Sequence, residues 1–157
     1  MEKWKQQLGV YGVYVDKEKL LVVKKTRGPY INRFDLPGGS FDPNESITDC
    51  LTRELNEEIG CKFTPNKMIC TFDYLIPWKI KDNTHLHHLA IYFEVSLPKK
   101  LEHKSIVADD TAGYELVSID KLTESNSSPL VIEAVNYLKG KTPSNNLKRY
   151  DDWKTLN

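Results

Sequence analysis

Several things are scarce or missing in this sequence, and each narrows what the chain can be. It has no net charge: 22 Lys and Arg balance 22 Asp and Glu over 157 residues. There is then no global field to draw in a nucleic acid polymer, and no local basic patch to replace it. Only three cysteines occur, at Cys50, Cys61 and Cys70. Their spacing forms neither a zinc motif nor a redox pair, so reduced structural thiols are expected. No stretch approaches the roughly 18 apolar residues of a membrane span. The opening MEKWKQQLG lacks the apolar run of a signal peptide. These absences lead us to expect a soluble, cytoplasmic protein without a membrane partner. No internal repeat, linker or low-complexity run is visible, and the length suits one domain.

Several segments carry strand character, being rich in β-branched and aromatic residues. Residues 8–15 and 19–25 read as a hairpin around Asp16-Lys17-Glu18. Residues 67–78 and 85–97 read as a second hairpin, and 114–119 as a further strand. Between the first hairpin and the first helix lies a stretch punctuated by Gly, Pro and Asn, with a short strand expected near residues 34–36. Long loops in small domains are usually functional.

Residues 46–60 read as a helix, with Ser46 and Asp49 spaced like a capping box and Gly60 as its stop. Residues 127–140 read as a second, with Pro129 in its first turn and Gly140 at its end. The order β-β-α-β-β-β-α implies a mixed sheet with helices packed on it. A polar tail follows, residues 141–157, either frayed or docked through Tyr150 and Trp153.

The first helix breaks the usual rules. Its apolar stripe is Ile47, Leu51 and Leu55. At roughly 100° per residue, with Ile47 as zero, Leu51 lies about 40° round, Glu54 about −20°, Glu58 about 20° and Glu57 about −80°. The inward face therefore continues as glutamates. Like charges at i, i+3 and i, i+4 each cost about 0.2–0.5 kcal/mol. The helix C-terminus repels anions by about 0.3–1 kcal/mol, and inward carboxylates lose hydration. A hard divalent cation removes these penalties; clustered carboxylates without thiolate or imidazole suit Mg²⁺ or Mn²⁺. The alternative is a solvated acidic face neutralised by a neighbouring Lys or Arg.

The surrounding spacing favours the metal. From Gly39 the chain reads GSFDPNESITDCLTRELNEEIGC. Gly39, Glu45, Arg53-Glu54-Leu55, Glu57-Glu58, Gly60 and Cys61 match the Nudix box over residues 39–61, and LPGG at residues 36–39 is also typical. Cys61 departs from the usual aliphatic residue, a small change for a buried position. The chain thus resembles the Nudix hydrolases (MutT-like), and the resemblance implies an α/β/α sandwich with a mixed β-sheet over residues 1–140. It implies a Mg²⁺-dependent pyrophosphatase that cleaves a nucleoside diphosphate derivative, a small-molecule nucleotide. Carried over by position, Glu54, Glu57 and Glu58 are metal ligands joined by the Gly39 carbonyl, Glu45 and Arg53 form an ion pair, and Glu54 or Glu57 takes a proton from the attacking water. A later carboxylate, Asp109 or Asp110, is a further candidate for that role. Many relatives are dimers, so a homodimer is a further expectation.

Other residues are candidates for reading the substrate. Lys24, Lys25 and Arg27 precede the long loop and could meet phosphates. Tyr30, Phe34, Tyr74 and Trp78 are candidates for stacking on a base. Pro77 hints at the ADP-ribose type. In HLHH, His85 and His87 share one strand face and His88 takes the other. Two alternatives share the fold: a non-catalytic nucleotide sensor, which would tend to lose box carboxylates, and an isoprenoid diphosphate isomerase, for which HLHH is the only support.

Overall fold

The computed structural model describes residues 1–101 and 110–157. Among the described residues, two sheets and two α-helices are arranged around two apolar cores. The first sheet is mixed, in the order β5-β1-β7-β6-β9. Here β1 is Trp4–Val13, β5 Gly38–Ser40, β6 Thr64–Ile80, β7 Asn83–Ser96 and β9 Lys148–Arg149. The β1/β7 and β6/β9 pairs are parallel, whereas β1/β5 and β6/β7 are antiparallel. The second sheet is built on β3 (Lys19–Lys25), flanked by β4 (Phe34–Asp35) and β8 (Thr111–Ser118), with β2 (Val15–Asp16) also pairing β3.

The expected first hairpin is only partly present. Lys17 and Glu18 do make a tight turn, both with positive φ (48° and 61°). It joins β3 only to the two-residue β2. The longer β1 leaves for the other sheet, where it pairs β5 and β7. The chain therefore changes sheet at Tyr14: the two edges of β1 are taken by β5 and β7, and those of β3 by β8 on one side and by β2 and β4 on the other. In the second hairpin β6 is longer than expected at both ends, whereas β7 starts two residues earlier and stops one residue earlier, and the turn closes at Lys81 with φ 53°. Among the described helices none is long and apolar enough to cross a membrane.

Helix α1, Ile47–Ile59, begins at Ser46, whose hydroxyl accepts the Asp49 N–H at 3.1 Å and donates to the Asp49 carboxylate at 2.6 Å. It ends at Gly60 in the left-handed conformation (φ 74°). Cys50, Leu51, Leu55 and Ile59 are buried against Val10, Leu21 and Phe63. Ile47, taken from the sequence as part of the stripe, is 40% exposed. It sits in the first turn, and the buried face of the helix starts at Cys50. Helix α2, Pro129–Leu138, is capped by Ser128, which accepts the Val131 N–H at 3.3 Å. The same hydroxyl donates to Asp35 at 2.6 Å, tying α2 to β4.

The strand that matters most for the site is the short β5, which the sequence reading did not separate from the loop. Gly38 and Gly39 pair with Tyr11 and Val10 of β1. Gly38 has φ 144°, and a Cβ there would lie 2.2 Å from the Val10 carbonyl oxygen. Only glycine fits this backbone at this distance. Gly38→Ala is expected to cost at least about 2 kcal/mol from the strained conformation alone. Chemical denaturation should show a lower midpoint with an unchanged slope; an unchanged midpoint would mean that β5 is loosely held.

Candidate active site

Helix α1 delivers its carboxylates to the back of β5. Glu58 is only 4% exposed, and its Oε2 accepts the Gly38 N–H at 3.0 Å. Burial pushes its carboxyl pKa well up, offset in part by that hydrogen bond and by the Lys25 charge. Glu54 lies against Gly39 so closely that a Cβ on Gly39 would stand 2.6 Å from its carboxylate. Burial raises the Glu54 pKa too, against the pull of Arg53. Glu57, on the flank as its helical position requires, is the most exposed of the three. Burial of acidic groups without an equal number of bonded partners is costly, so the end of α1 is electrostatically unfinished.

Arg53 organises the rest. Its Nε and Nη2 grip Glu45 at 2.5 and 2.9 Å, a two-pronged charge-assisted pair. Nη2 also donates to the Ser40 carbonyl at 3.1 Å. Nη1 reaches Glu54 at 3.0 Å and Glu57 at 3.4 Å. The guanidinium holds the Glu45 carboxyl down at about 2. Through these contacts it links the loop after β5 to the acidic turn. Buried Cys50 lies beside it, with its thiol pushed up to about 12 by burial, which leaves it inert. Among the described residues no three or more His, Cys, Asp or Glu side chains are gathered closely enough to form a metal site by themselves; Glu54 and Glu57 lean on Arg53 instead. The donors on offer are all oxygen, as a hard cation requires.

These side chains line one wall of a cavity of about 500 Å³. Its rim and floor include Lys25, Arg27, Tyr30, Asp35, Trp78 and His88. Asp110 also lines it and is paired with Lys25. Asp109 lies outside the described residues.

Several substrate candidates fall elsewhere. Lys24 is exposed and outside the cavity, because strand alternation points Lys25 inward in its place. Phe34 packs against the core and Tyr74 is fully buried in it, so neither presents a face to the cavity. Tyr74 is instead held by Tyr92 through a 2.9 Å hydroxyl contact. Pro77 lies in β6, paired with His85, and does not line the main cavity.

The HLHH histidines part company as the two-residue period dictates. His87 pairs with Asp73 at 2.6 Å, and His85 packs against Trp4 at 4.5 Å between ring centroids. His88 points the other way and is buried on the cavity floor. Its two ring nitrogens meet Tyr11 at 2.9 Å and Tyr30 at 2.8 Å. Burial, with Lys25 and His87 adding to it, lowers its pKa to about 3. The ring is therefore neutral, one nitrogen donating and the other accepting. Tyr11, Gln7 and Asp35 were not singled out from the sequence. The signal was non-local: Gln7 meets His88 only through the parallel β1/β7 register.

Comparison with known proteins agrees with this geometry. A family model described as the NUDIX domain matches residues 5–136. An 8-oxo-dGTP diphosphatase of Buchnera aphidicola is 37% identical over 54 residues, which is 34% of this chain and 42% of that protein. An ADP-ribose pyrophosphatase of Methanocaldococcus jannaschii is 32% identical over 53 residues, 34% of this chain and 31% of that protein. The chain thus spans less than half the length of these curated relatives. Among solved structures, a MutT protein from Methanosarcina mazei superposes with a TM-score of 0.67 at 18% identity, covering 90% of this chain and all of that one. A MutT NUDIX hydrolase from Burkholderia pseudomallei gives 0.61 at 21% identity, covering 84% and 97%. At such identities the likeness concerns the fold. With the domain model spanning most of its length and the box intact at residues 39–61, this chain belongs to the Nudix hydrolase family.

Proposed function

We propose that this protein is a divalent-metal-dependent pyrophosphohydrolase that acts on a nucleoside diphosphate derivative. The observation that carries the reading is the seating of Glu54 and Glu58 against the glycines of β5, at one wall of a cavity that has aromatic and basic groups on its other side. Three of the curated relatives are named as an 8-oxo-dGTP diphosphatase, a nucleoside triphosphatase and an ADP-ribose pyrophosphatase. A nucleotide with an internal phosphoanhydride is the common denominator.

Glu54, Glu57 and Glu58, with the Gly39 carbonyl, are the groups that would hold Mg²⁺ or Mn²⁺. When bound, such an ion neutralises phosphate charge and lowers the pKa of water. The protein's own groups do the remaining work. Gly38 fixes Glu58, and Arg53 orients Glu54 and Glu57 while Glu45 holds Arg53 in place. Glu54 has a raised pKa and faces the cavity, so it is suited to accept a proton from the attacking water. Lys25 and Arg27 offer positive charge to the phosphates, with Lys25 shared between substrate and Asp110. Trp78 presents aromatic surface on which a base can stack, and Tyr30, 3% exposed and bonded to His88, backs the cavity wall.

Incubation with Mg²⁺ and a panel of nucleoside triphosphates, nucleotide sugars, ADP-ribose and dinucleoside polyphosphates should yield hydrolysis of at least one. Glu57→Gln should lower kcat for that substrate by at least about 10²-fold. Tight nucleotide binding without turnover would instead mark a sensor.

The raised pKa values also set the pH dependence of metal uptake. Both Glu54 and Glu58 hold their protons to higher pH than the ordinary value of 4.5. Cation binding needs the deprotonated forms, so it must expel protons in the window above 4.5 and must weaken as pH falls through the raised values. Calorimetry within that pH window, in buffers of different ionisation enthalpy, should record proton release on Mg²⁺ binding, reduced in Glu58→Gln. Uptake without proton release would contradict the assignment.

A further inference from the structure

The family match ends at residue 136, yet the chain beyond it reaches the wall of the cavity. β9 adds to β6, and the Tyr150 N–H donates to the Leu75 carbonyl at 3.0 Å. A turn then closes with the Trp153 N–H on the Tyr150 carbonyl at 2.9 Å. This sets Trp153 against the segment between β3 and β4, residues 26–33.

That segment has little regular structure of its own, and Gly28 and Asn32 both take positive φ. Trp153 supplies what it lacks. Its indole N–H donates to the Pro29 carbonyl at 3.0 Å. Its ring stands edge-on to Tyr30, with centroids 5.8 Å apart. The Arg33 guanidinium lies over its face at 4.0 Å. Arg33 is only 7% exposed, its Nε has no hydrogen-bond partner, and its Nη1 donates to the Lys154 carbonyl at 2.7 Å. Burying a guanidinium on so few bonds is tolerable only while the indole covers it. Asn32 bonds the Leu156 carbonyl as well. From this loop Tyr30 reaches the cavity floor and His88. A second cavity, of about 690 Å³, shares Arg27, Gly28 and Trp78 with the first and is bounded by Trp153 and Lys154.

We propose that Trp153 is a positioning residue that locks the Tyr30 wall of the substrate cavity, making the C-terminal segment a determinant of substrate affinity. Among the described residues, the Trp153 side chain meets Pro29, Tyr30, Arg33 and Tyr150, none of them on the acidic turn of α1. Its loss should therefore disturb binding of the nucleotide and leave the chemical step largely intact. The kinetic part of this inference rests on the pyrophosphohydrolase reading; the structural part does not.

Two full-length variants test it. Trp153→Ala removes every contact, and Trp153→Phe keeps a ring against Tyr30 and Arg33 but loses the bond to Pro29. In Trp153→Ala, backbone amides of residues 26–34 should exchange with deuterium at least about tenfold faster, with α1 unchanged. With the best substrate of the panel, KM should rise about tenfold and kcat stay within about threefold. Trp153→Phe should recover most of both effects. Unchanged exchange in the loop, absence of rescue by phenylalanine, or faster exchange throughout α1 with a falling kcat would each overturn the proposal. If the wild type turns over no substrate, the pyrophosphohydrolase reading fails, and the exchange comparison alone decides the role of Trp153.

Discussion

The contact on which this structure turns is the close approach of an acidic helical turn to two glycines. Gly38 and Gly39 are drawn onto β1, and their bare backbone lets α1 come near enough for Gly38 to donate to Glu58 and for Glu54 to lie on Gly39. A side chain at either position would collide, with the Val10 carbonyl in one case and with Glu54 in the other. The carboxylates are thus pressed inward by packing. Leu51 and Leu55, fully buried on the same side of α1, fix the helix at that height. Burial of apolar groups supplies the free energy that holds charged groups where they repel one another.

Arg53 makes this arrangement tolerable without cancelling it. One guanidinium serves Glu45, Glu54, Glu57 and the Ser40 carbonyl. Its strongest engagement is with Glu45, outside the buried turn, and Glu58 receives no contact from it among the described residues. Glu58 instead depends on a single backbone N–H and keeps a raised pKa. A neutralised acidic face would pair each carboxylate with a base. Here the most buried one is left with the least compensation, and the proposed cation site rests on that imbalance. On the far side of the cavity, a neutral histidine is bridged between Tyr11 and Tyr30, with Lys25 and Asp35 in the same lining.

The helices and the box could be read from the sequence because they are local. Ser46, Asp49 and Gly60 act within a few residues of one another, and the turn from Glu54 to Glu58 follows from helical geometry alone. The departures are all non-local. Nothing near Tyr14 announces that the chain changes sheet there, since the choice depends on β7, some 80 residues away in register with β1. Tyr74 and Phe34 are aromatic in the way a stacking residue is, and only their strand pairings send them to the core. Lys24 and Lys25 are chemically equal, and alternation along β3 decides between them. The tail is polar enough to suggest fraying, yet it holds two aromatic residues, and these dock: Tyr150 beside Tyr74, Trp153 beside Tyr30.

The most direct test is a crystal structure grown with Mn²⁺ and a non-hydrolysable nucleotide, with the metal located by its anomalous signal. A manganese peak in contact with oxygens of Glu54, Glu57 and Glu58, with the nucleotide phosphates beside it, is the expected result. Density that leaves Glu54 and Glu57 on Arg53, with no metal near Glu58, would contradict the claim that packing of α1 on the two glycines exists to hold a divalent cation.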